Sequence, residues 1–145
     1  MNLLLRKILK MSSNEHYKVY IGEYAKDHFI KSFSKNYKTA RDITLRAIQW
    51  FTQRIDTFLQ TTKAEKIHSC DSCHIVKCEF AVAGTKLSPH SSGNRYIVHM
   101  DQENRECYIL LVYAKTDVKW TNETVRWRGE IKKNYPALIE KFTGI

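Results

Sequence analysis

The sequence predicts an α+β domain: a helical hairpin packed on one face of a mostly antiparallel four-stranded sheet, in the order β-α-α-β-β-β-α. Two helical patterns follow one another in the first half of the chain. Three strand-like runs then lie in succession, and a last helical pattern closes the chain. Separate runs of helices and strands are typical of the α+β class. We expect one domain over residues 17–145, preceded by an N-terminal extension of residues 1–16.

The first half of the chain predicts one strand and then two helices. The run 17–24 is rich in β-branched and aromatic residues, which favour strands. Helical spacing of apolar residues begins at Ala25, breaks at residues 36–39 and returns in a longer helix. The apolar side of that helix comprises Leu45, Ile48, Phe51, Ile55 and Leu59. Its aromatic stripe consists of Trp50, Phe51 and Phe58. We expect this stripe to belong to the core and not to a base-stacking platform.

Three strands are predicted after a polar connection at residues 61–71. They cover residues 74–82, 95–100 and 107–117. Glycine, serine, proline and asparagine mark residues 84–94 as a loop, and residues 101–106 form a polar turn. The third strand is nearly continuously apolar, which is typical of the central strand of a covered sheet.

The last helix is predicted from a cap and an apolar stripe. Thr121 or Asn122 can cap its first turn, where Glu123 also lies. The apolar stripe comprises Trp127, Ile131 and Tyr135. Pro136 is expected to end the helix.

The charge balance of the chain is strongly basic. Its 145 residues include 24 Lys and Arg against 15 Asp and Glu, which gives a net charge of +9. Such a balance favours nucleic acid, an anionic membrane surface or an acidic protein as partner, although a basic protein without an anionic partner is the alternative. No apolar run approaches the roughly 20 residues of a membrane span, and the apolar stretch within residues 1–11 is too short for a signal peptide. We therefore expect a cytoplasmic protein that does not engage a membrane.

The cysteines predict no disulfide framework in a cytosolic chain. They are Cys70, Cys73, Cys78 and Cys107. Cys70 and Cys73 form a compact group with His68 and His74, but structural zinc normally requires two well-spaced ligand pairs, and here one pair is persuasive. We predict no metal and no other cofactor, with zinc at this group as the alternative. Cys78 shares the parity of its apolar neighbours and is expected in the core.

Alternating positions of the three middle strands predict a polar face. Even-numbered positions of the first two strands are mostly apolar, and odd-numbered positions carry polar residues. The odd-numbered set comprises Lys77, Glu79, Arg95, His99, Tyr113, Lys115 and Asp117. A sheet face with this composition on a basic protein suits a phosphate backbone.

These strands resemble the RelE/ParE toxins of bacterial type II toxin–antitoxin systems, in particular the HigB-like branch. The resemblance rests on Asn94-Arg95-Tyr96-Ile97-Val98, a polar turn, and an apolar strand that closes with Tyr113-Ala114-Lys115-Thr116-Asp117. It covers roughly residues 17–135. The extension at residues 1–16, the Cys/His-rich connection and a last helix carrying Trp127 depart from the family pattern.

The resemblance implies a small ribonuclease that cleaves messenger RNA, in many cases within the ribosome, and thereby inhibits translation. It also implies silencing by a cognate antitoxin, for which a helix-turn-helix protein is expected. Carried over by position, Arg95 matches the arginine that opens a strand, and Lys115 matches the basic residue after the central strand, beside Tyr113. Lys77 falls where the family has basic residues, and Lys86 is a looser match in the loop.

Metal-free RNA cleavage needs a base for the 2′-hydroxyl, cations for the phosphate oxygens and an acid for the leaving oxygen. Arg95 suits the phosphate, because its guanidinium is always charged and binds two oxygens at once. Lys77 or Lys115 is a candidate base, since neighbouring cations lower a lysine pKa, and Glu79 is a second candidate. His99 is an acid–base candidate because histidine titrates near neutrality.

Each candidate also has a structural interpretation. Lys77 and Glu79 fit an ordinary solvated strand face, His99 a packed strand residue, and Tyr113 packing at the edge of the core, with base stacking or proton transfer as its functional roles. Further RNA contacts are expected from Lys86, Lys119, Arg126 and Arg128, and the last two alternatively pair with local acids.

Two functions from different classes remain open at this point. The first is a metal-independent endoribonuclease toxin. The second is a binding protein without catalysis, either a ParE-like inhibitor of DNA gyrase or an RNA-binding module, because one fold class supports both. For the toxin we expect an acidic antitoxin segment that covers the Lys77/Arg95/Lys115 face or displaces the helix at residues 122–135.

Overall fold

A five-stranded mixed sheet forms the centre of the protein, in the spatial order β1-β5-β4-β3-β2. The computed structural model describes residues 16–30, 41–80, 94–114 and 122–142. The strands are β1 (Lys18–Ile21), β2 (Ala64–Cys70), β3 (Cys73–Phe80), β4 (Asn94–Asp101) and β5 (Glu106–Ala114). β1 runs parallel to β5, and the other three pairings are antiparallel.

Helices precede and follow the antiparallel part of the sheet, which confirms the α+β class. They are a π-helix (Ala25–Ile30), α1 (Arg41–Gln53), α2 (Ile55–Phe58), α3 (Glu123–Asn134) and α4 (Pro136–Ile139). The Asn122 side chain caps α3 by accepting a hydrogen bond from the Val125 backbone N–H. Pro136 lies at the start of the short α4, as its fixed φ allows. None of the helices among the described residues has the length and hydropathy needed to cross a bilayer.

The predicted four-stranded order is wrong in one element, because part of the expected polar connection at residues 61–71 forms strand β2. β2 is an edge strand, and only Ala64 is fully buried in it. Its pairing with β3 is irregular between Lys66 and His68, so that Ile67 is an extra residue. Such a bulge breaks the alternation of apolar and polar residues by which a strand is recognised in a sequence.

One face of the sheet packs against α1 and α2, and we call it the α1 face. It carries the even-numbered apolar residues of β3 and β4, including Cys78 as predicted. Ile48 of α1 and Ile55 of α2 are buried against it. The aromatic stripe divides: Phe51 and Phe58 are partly buried and stack at 3.8 Å between ring centroids, whereas Trp50 is 53% exposed. The prediction that Trp50 is a core residue is therefore wrong.

The opposite face packs against α3 and α4, and we call it the α3 face. Trp127 and Ile131 of α3, with Ile139 of α4 and Phe142, are buried against Ile75, Ile97 and Leu111 of the sheet. The described helices therefore lie on both faces, and the odd-numbered positions predicted to form an open polar face contribute to a second core. The odd or even position of a strand residue indicates its face of the sheet but not whether a helix covers that face. The alternation alone therefore did not reveal the second core.

Candidate functional site

Three polar residues lie side by side on three adjacent strands of the α3 face. Glu79 of β3 is the cross-strand partner of Arg95 on β4, and Arg95 is the partner of Tyr113 on β5. Directly opposed residues in antiparallel strands point to the same side of the sheet. We call Glu79, Arg95 and Tyr113 the polar row.

Arg95 is held at the centre of the polar row. The residue is 3% exposed, its Nη2 lies 3.6 Å from Oε1 of Glu79, and its Nη1 donates a hydrogen bond of 2.9 Å to the Asn94 carbonyl. The Glu79 side chain is 12% exposed. A buried charge needs a partner of opposite sign, and here the carboxylate supplies it. The Arg95 guanidinium therefore has a fixed position and a counterion within the fold.

Tyr113 joins the polar row to helix α3. Its hydroxyl donates a hydrogen bond to Oε1 of Glu123, in the first turn of the helix. Burial raises the pKa of Tyr113 above its ordinary value, and the Glu123 carboxylate raises it further. The phenol therefore keeps its proton at neutral pH and acts as a donor. Glu123 is a neighbour that the sequence did not assign to the site, because its contact depends on how α3 docks.

Taken together, the polar row offers a carboxylate, a guanidinium and a protonated phenol in one line. These groups match the roles of base, phosphate ligand and proton donor. In the fold as it stands, the guanidinium is paired with Glu79, and the phenol is hydrogen-bonded to Glu123 of α3. A substrate phosphate would have to compete with these carboxylates for Arg95 and Tyr113.

Lys77 lies on the same face, two residues before Glu79 on β3. It is half-buried, and its cross-strand partners are Glu65 on β2 and Ile97 on β4. Lys77 is therefore one step along the sheet from the polar row, as the predicted parity requires. Its catalytic role stays a prediction.

His99 shares the face of Arg95 but lies at the other end of β4. Four residues separate the two, which is about 13 Å along a strand. His99 is 2% exposed, and its ring meets those of Tyr108 and Phe142 edge-on. Neither ring nitrogen forms a hydrogen bond with the described residues. Burial lowers the pKa of His99 to about 4. The structure therefore places this imidazole apart from the polar row and in its neutral form at pH 7.

The other predicted site residues divide into two groups. Arg126 is exposed on α3, and Arg128 is half-buried with its guanidinium 5.8 Å from the centroid of the Trp127 ring. Arg128 also lies close enough to β2 to contribute to a lowered pKa of His68, whose main cause is burial. Lys86, Lys115 and Lys119 lie outside the described residues, and so their placement relative to Arg95 stays a prediction.

A second charged cluster, which the sequence did not predict, joins Tyr17, the residue before β1, to α2 and to the β4–β5 turn. Arg105 Nη1 lies 3.0 Å from Asp56 Oδ2 and donates to the Tyr17 hydroxyl at 2.9 Å. The Tyr17 hydroxyl in turn donates to Asp56 at 3.0 Å, and the guanidinium lies over the Tyr17 ring. The residues that contact each other in this cluster are separated by 39 to 88 positions in the sequence. No local motif could therefore have revealed the cluster.

Comparison of the chain with protein-family models, with curated proteins and with solved structures gave no match.

Proposed function

We propose that this protein is a metal-independent endoribonuclease that cleaves messenger RNA as the toxin of a type II toxin–antitoxin system. The observation that supports the proposal is the polar row, in which a carboxylate, a guanidinium and a protonated phenol lie on adjacent strands. The net charge of +9 suits a polyanionic substrate. The resemblance of residues 94–98 and 113–117 to HigB-like toxins adds the same activity class.

In the proposed reaction the 2′-hydroxyl of RNA attacks the adjacent phosphorus, and the P–O5′ bond breaks. Glu79 accepts the proton from the 2′-hydroxyl, with Lys77 as the alternative base. Arg95 binds the phosphate oxygens, on which negative charge develops. Tyr113 donates its proton to the leaving 5′-oxygen, because a phenol, with an ordinary pKa of about 10, keeps its proton at neutral pH until that oxygen becomes basic. The products are a 2′,3′-cyclic phosphate and a 5′-hydroxyl.

In this proposal, RNA reaches Arg95 only after the first turn of α3 moves away from the sheet. The hydrogen bond from Tyr113 to Glu123 has to open, and the phosphate then replaces Glu79 as the partner of Arg95. An acidic antitoxin segment would silence the enzyme by occupying the Lys77/Arg95/Lys115 face, because it then takes the place of the RNA phosphates. Displacement of residues 122–135 alone would uncover Arg95, and we therefore do not retain it as the mode of silencing. Co-expression with the product of the neighbouring gene should give a stable complex that no longer cleaves RNA.

The experiment compares two arginine variants after induced expression. Arg95→Lys keeps the charge but loses the planar fork that binds two oxygens, and we expect loss of messenger RNA cleavage and recovery of growth. Arg105→Lys is the matched control, since Arg105 also pairs with a carboxylate but lies outside the polar row. Circular dichroism checks that both variants fold. Full toxicity of folded Arg95→Lys, together with full toxicity of Lys77→Ala and Lys115→Ala, would show that the site is wrong.

A second candidate is a protein that binds RNA or DNA gyrase without catalysis. The burial of Arg95 favours it, because a guanidinium that is 3% exposed and already paired with the Glu79 carboxylate is not open to a substrate phosphate in the fold as it stands. Primer extension on cellular messenger RNA, run beside a gyrase supercoiling assay, separates the two. Inhibited supercoiling with intact message would favour the binding function.

A further inference from the structure

The hairpin of β2 and β3 brings two cysteines face to face. Cys70 and Cys73 are cross-strand partners, and they flank the two-residue turn of Asp71 and Ser72. Asp71 has a φ of +52°, the left-handed conformation that a tight turn of this kind requires. Directly opposed residues have Cα atoms about 4.5–5.5 Å apart and side chains on one side of the sheet. That separation lies within the range of disulfide-bonded cysteines, about 4.4–6.8 Å.

The two thiols differ in access and in electrostatic surroundings. Cys70 is half-buried, whereas Cys73 is 8% exposed. The Lys141 ammonium lies 3.1 Å from the Cys73 sulfur and donates a hydrogen bond to it. This places a positive charge where negative charge develops on sulfur during thiol–disulfide exchange. One thiol is therefore accessible to an incoming disulfide, and the other has a cation beside it.

The remaining cysteines are protected from the same chemistry. Cys78 and Cys107 are each 0% exposed in the core of the α1 face. Burial raises the pKa of Cys78 to about 12, and burial also raises the pKa of Cys107. Both stay as thiols at neutral pH, and thiols are poor nucleophiles. They serve as internal controls within the same chain.

A metal does not fit this hairpin as well as a disulfide does. His74, which follows Cys73 in the sequence, already has Nδ1 2.7 Å from the Ser69 hydroxyl and Nε2 2.8 Å from the Gln102 side-chain oxygen. The described ranges contain no group of three or more side chains arranged to hold a metal ion. Two sulfurs with no third ligand suit a covalent bond between them better than a metal centre.

We propose that Cys70 and Cys73 form a reversible intramolecular disulfide by exchange with a low-molecular-weight disulfide such as oxidised glutathione. The Cys70 thiolate attacks one sulfur of glutathione disulfide, which forms a mixed disulfide and releases one glutathione thiolate. The Cys73 thiolate then attacks the Cys70 sulfur, which closes the protein disulfide and releases the second glutathione thiolate. The two protons from the protein thiols end on the two glutathione molecules. The protein dithiol is oxidised, and glutathione disulfide is reduced.

The bond is expected to be labile. A disulfide across a two-residue turn has to adapt to the backbone of the hairpin, and departures from ideal geometry make a disulfide easier to reduce. Labile disulfides belong to the regulatory class, in contrast to those that stabilise secreted proteins. The hairpin therefore supplies a modification site that responds to the ratio of glutathione disulfide to glutathione.

Tryptic mapping of the full-length protein tests the proposal directly. Cleavage after Lys66 and Lys77 gives a peptide of residues 67–77 that contains Cys70 and Cys73 and no other cysteine. Reduced protein is incubated with glutathione disulfide under native conditions, and the remaining thiols are alkylated. The protein is then digested, and the peptide masses are measured by mass spectrometry. We expect the 67–77 peptide to lose two hydrogens and to escape alkylation. Dithiothreitol should restore both thiols, and the peptides with Cys78 and Cys107 should stay reduced.

Two variants sharpen the test. Cys70→Ser should abolish the loss of two hydrogens, and Lys141→Gln should slow ring closure relative to the unmodified protein. Persistent glutathione on Cys70 without ring closure, or an unmodified 67–77 peptide, would overturn the proposal. It would also be overturned by binding of one equivalent of zinc to the reduced protein that protects both thiols from alkylation.

Discussion

At the scale of single residues, the imidazole of His99 opposes folding. Both ring nitrogens are buried, and neither forms a hydrogen bond with the described residues. A buried polar group without a partner costs about 1–3 kcal/mol, because the hydrogen bonds that it makes to water in the unfolded chain are not replaced. The surrounding rings of Tyr108 and Phe142 offer apolar contacts that a hydrocarbon side chain would also make.

We therefore expect His99→Leu to raise the free energy of unfolding at pH 7 by about 1 kcal/mol or more. Urea denaturation followed by circular dichroism measures the change. His74→Leu is the matched control, because this histidine is also buried but both of its ring nitrogens are hydrogen-bonded. The control should lower the free energy of unfolding. A destabilised His99→Leu variant would show that the imidazole has a partner in solution.

The same residue predicts a dependence of stability on pH. Burial lowers the pKa of His99 to about 4, the Lys141 ammonium and His74 act in the same direction, and the Asp101 carboxylate and the residue's own backbone oppose them. The unfolded chain, with a histidine pKa of about 6.5, binds the proton more readily than the folded protein between these two values. The free energy of unfolding should therefore fall by up to about 3 kcal/mol as the pH drops from about 6.5 to about 4.

Urea titrations at a series of pH values test this dependence. The His99→Leu variant should show a flatter profile over the same interval, because the group that takes up the proton on unfolding is gone. Profiles of equal steepness for the two proteins would assign the acid sensitivity to other groups.

At the scale of elements, the sequence predicted what depends on local pattern and missed what depends on neighbours. The core strands β3, β4 and β5, the cap of α3 and its buried Trp127 followed from alternation and capping. Edge strand β2 was not predicted, because its polar residues lie in solvent and a bulge at Ile67 interrupts the alternation of apolar and polar residues. A second bulge lies at Leu110 of β5, between the residues that pair with Ile97 and Val98 of β4. It could not be predicted, because the β5 sequence around it is apolar without interruption.

The attachment of α3 to the sheet depends on a close approach at Gly22. The Tyr135 hydroxyl at the end of α3 donates to the Leu110 carbonyl at 2.8 Å and accepts from the Ala25 backbone N–H at 3.3 Å. A Cβ atom at Gly22 would lie 2.5 Å from that hydroxyl and 3.0 Å from the Ile109 carbonyl. A side chain at this position therefore displaces the phenol that joins the helix to β5.

Gly22→Ala should lower the free energy of unfolding by about 1–3 kcal/mol, the usual cost of overpacking. Gly129→Ala is the contrasting variant: Gly129 lies within α3, a Cβ atom added there would meet nothing within 4 Å, and alanine is the better helix former. It should raise the free energy of unfolding by about 1 kcal/mol. Urea denaturation measures both, and a Gly22→Ala variant as stable as the parent would show that Tyr135 does not anchor the helix.

At the scale of the whole molecule, helices on both faces of the sheet determine how much of the candidate site the sequence could predict. Parity correctly placed Lys77, Arg95 and His99 on one face. It could not reveal that α3 and α4 cover this face, because coverage depends on contacts between distant parts of the chain. Nor could it reveal that His99 lies at one end of β4 and Arg95 at the other.

The net charge of +9 gives the last prediction, which concerns RNA binding by the whole protein. Cations that neutralise phosphates release counterions, and so the affinity for single-stranded RNA should fall linearly with salt on logarithmic axes. Arg126 is exposed on α3. If RNA lies along the α3 face, Arg126→Gln should reduce the slope of log affinity against log salt concentration by about one. Arg46→Gln is the charge-matched control, since Arg46 is exposed on α1, which covers the opposite face. Fluorescence anisotropy over a salt series measures both slopes, and equal reductions in the two variants would mean that RNA binds without preference for the face of the polar row.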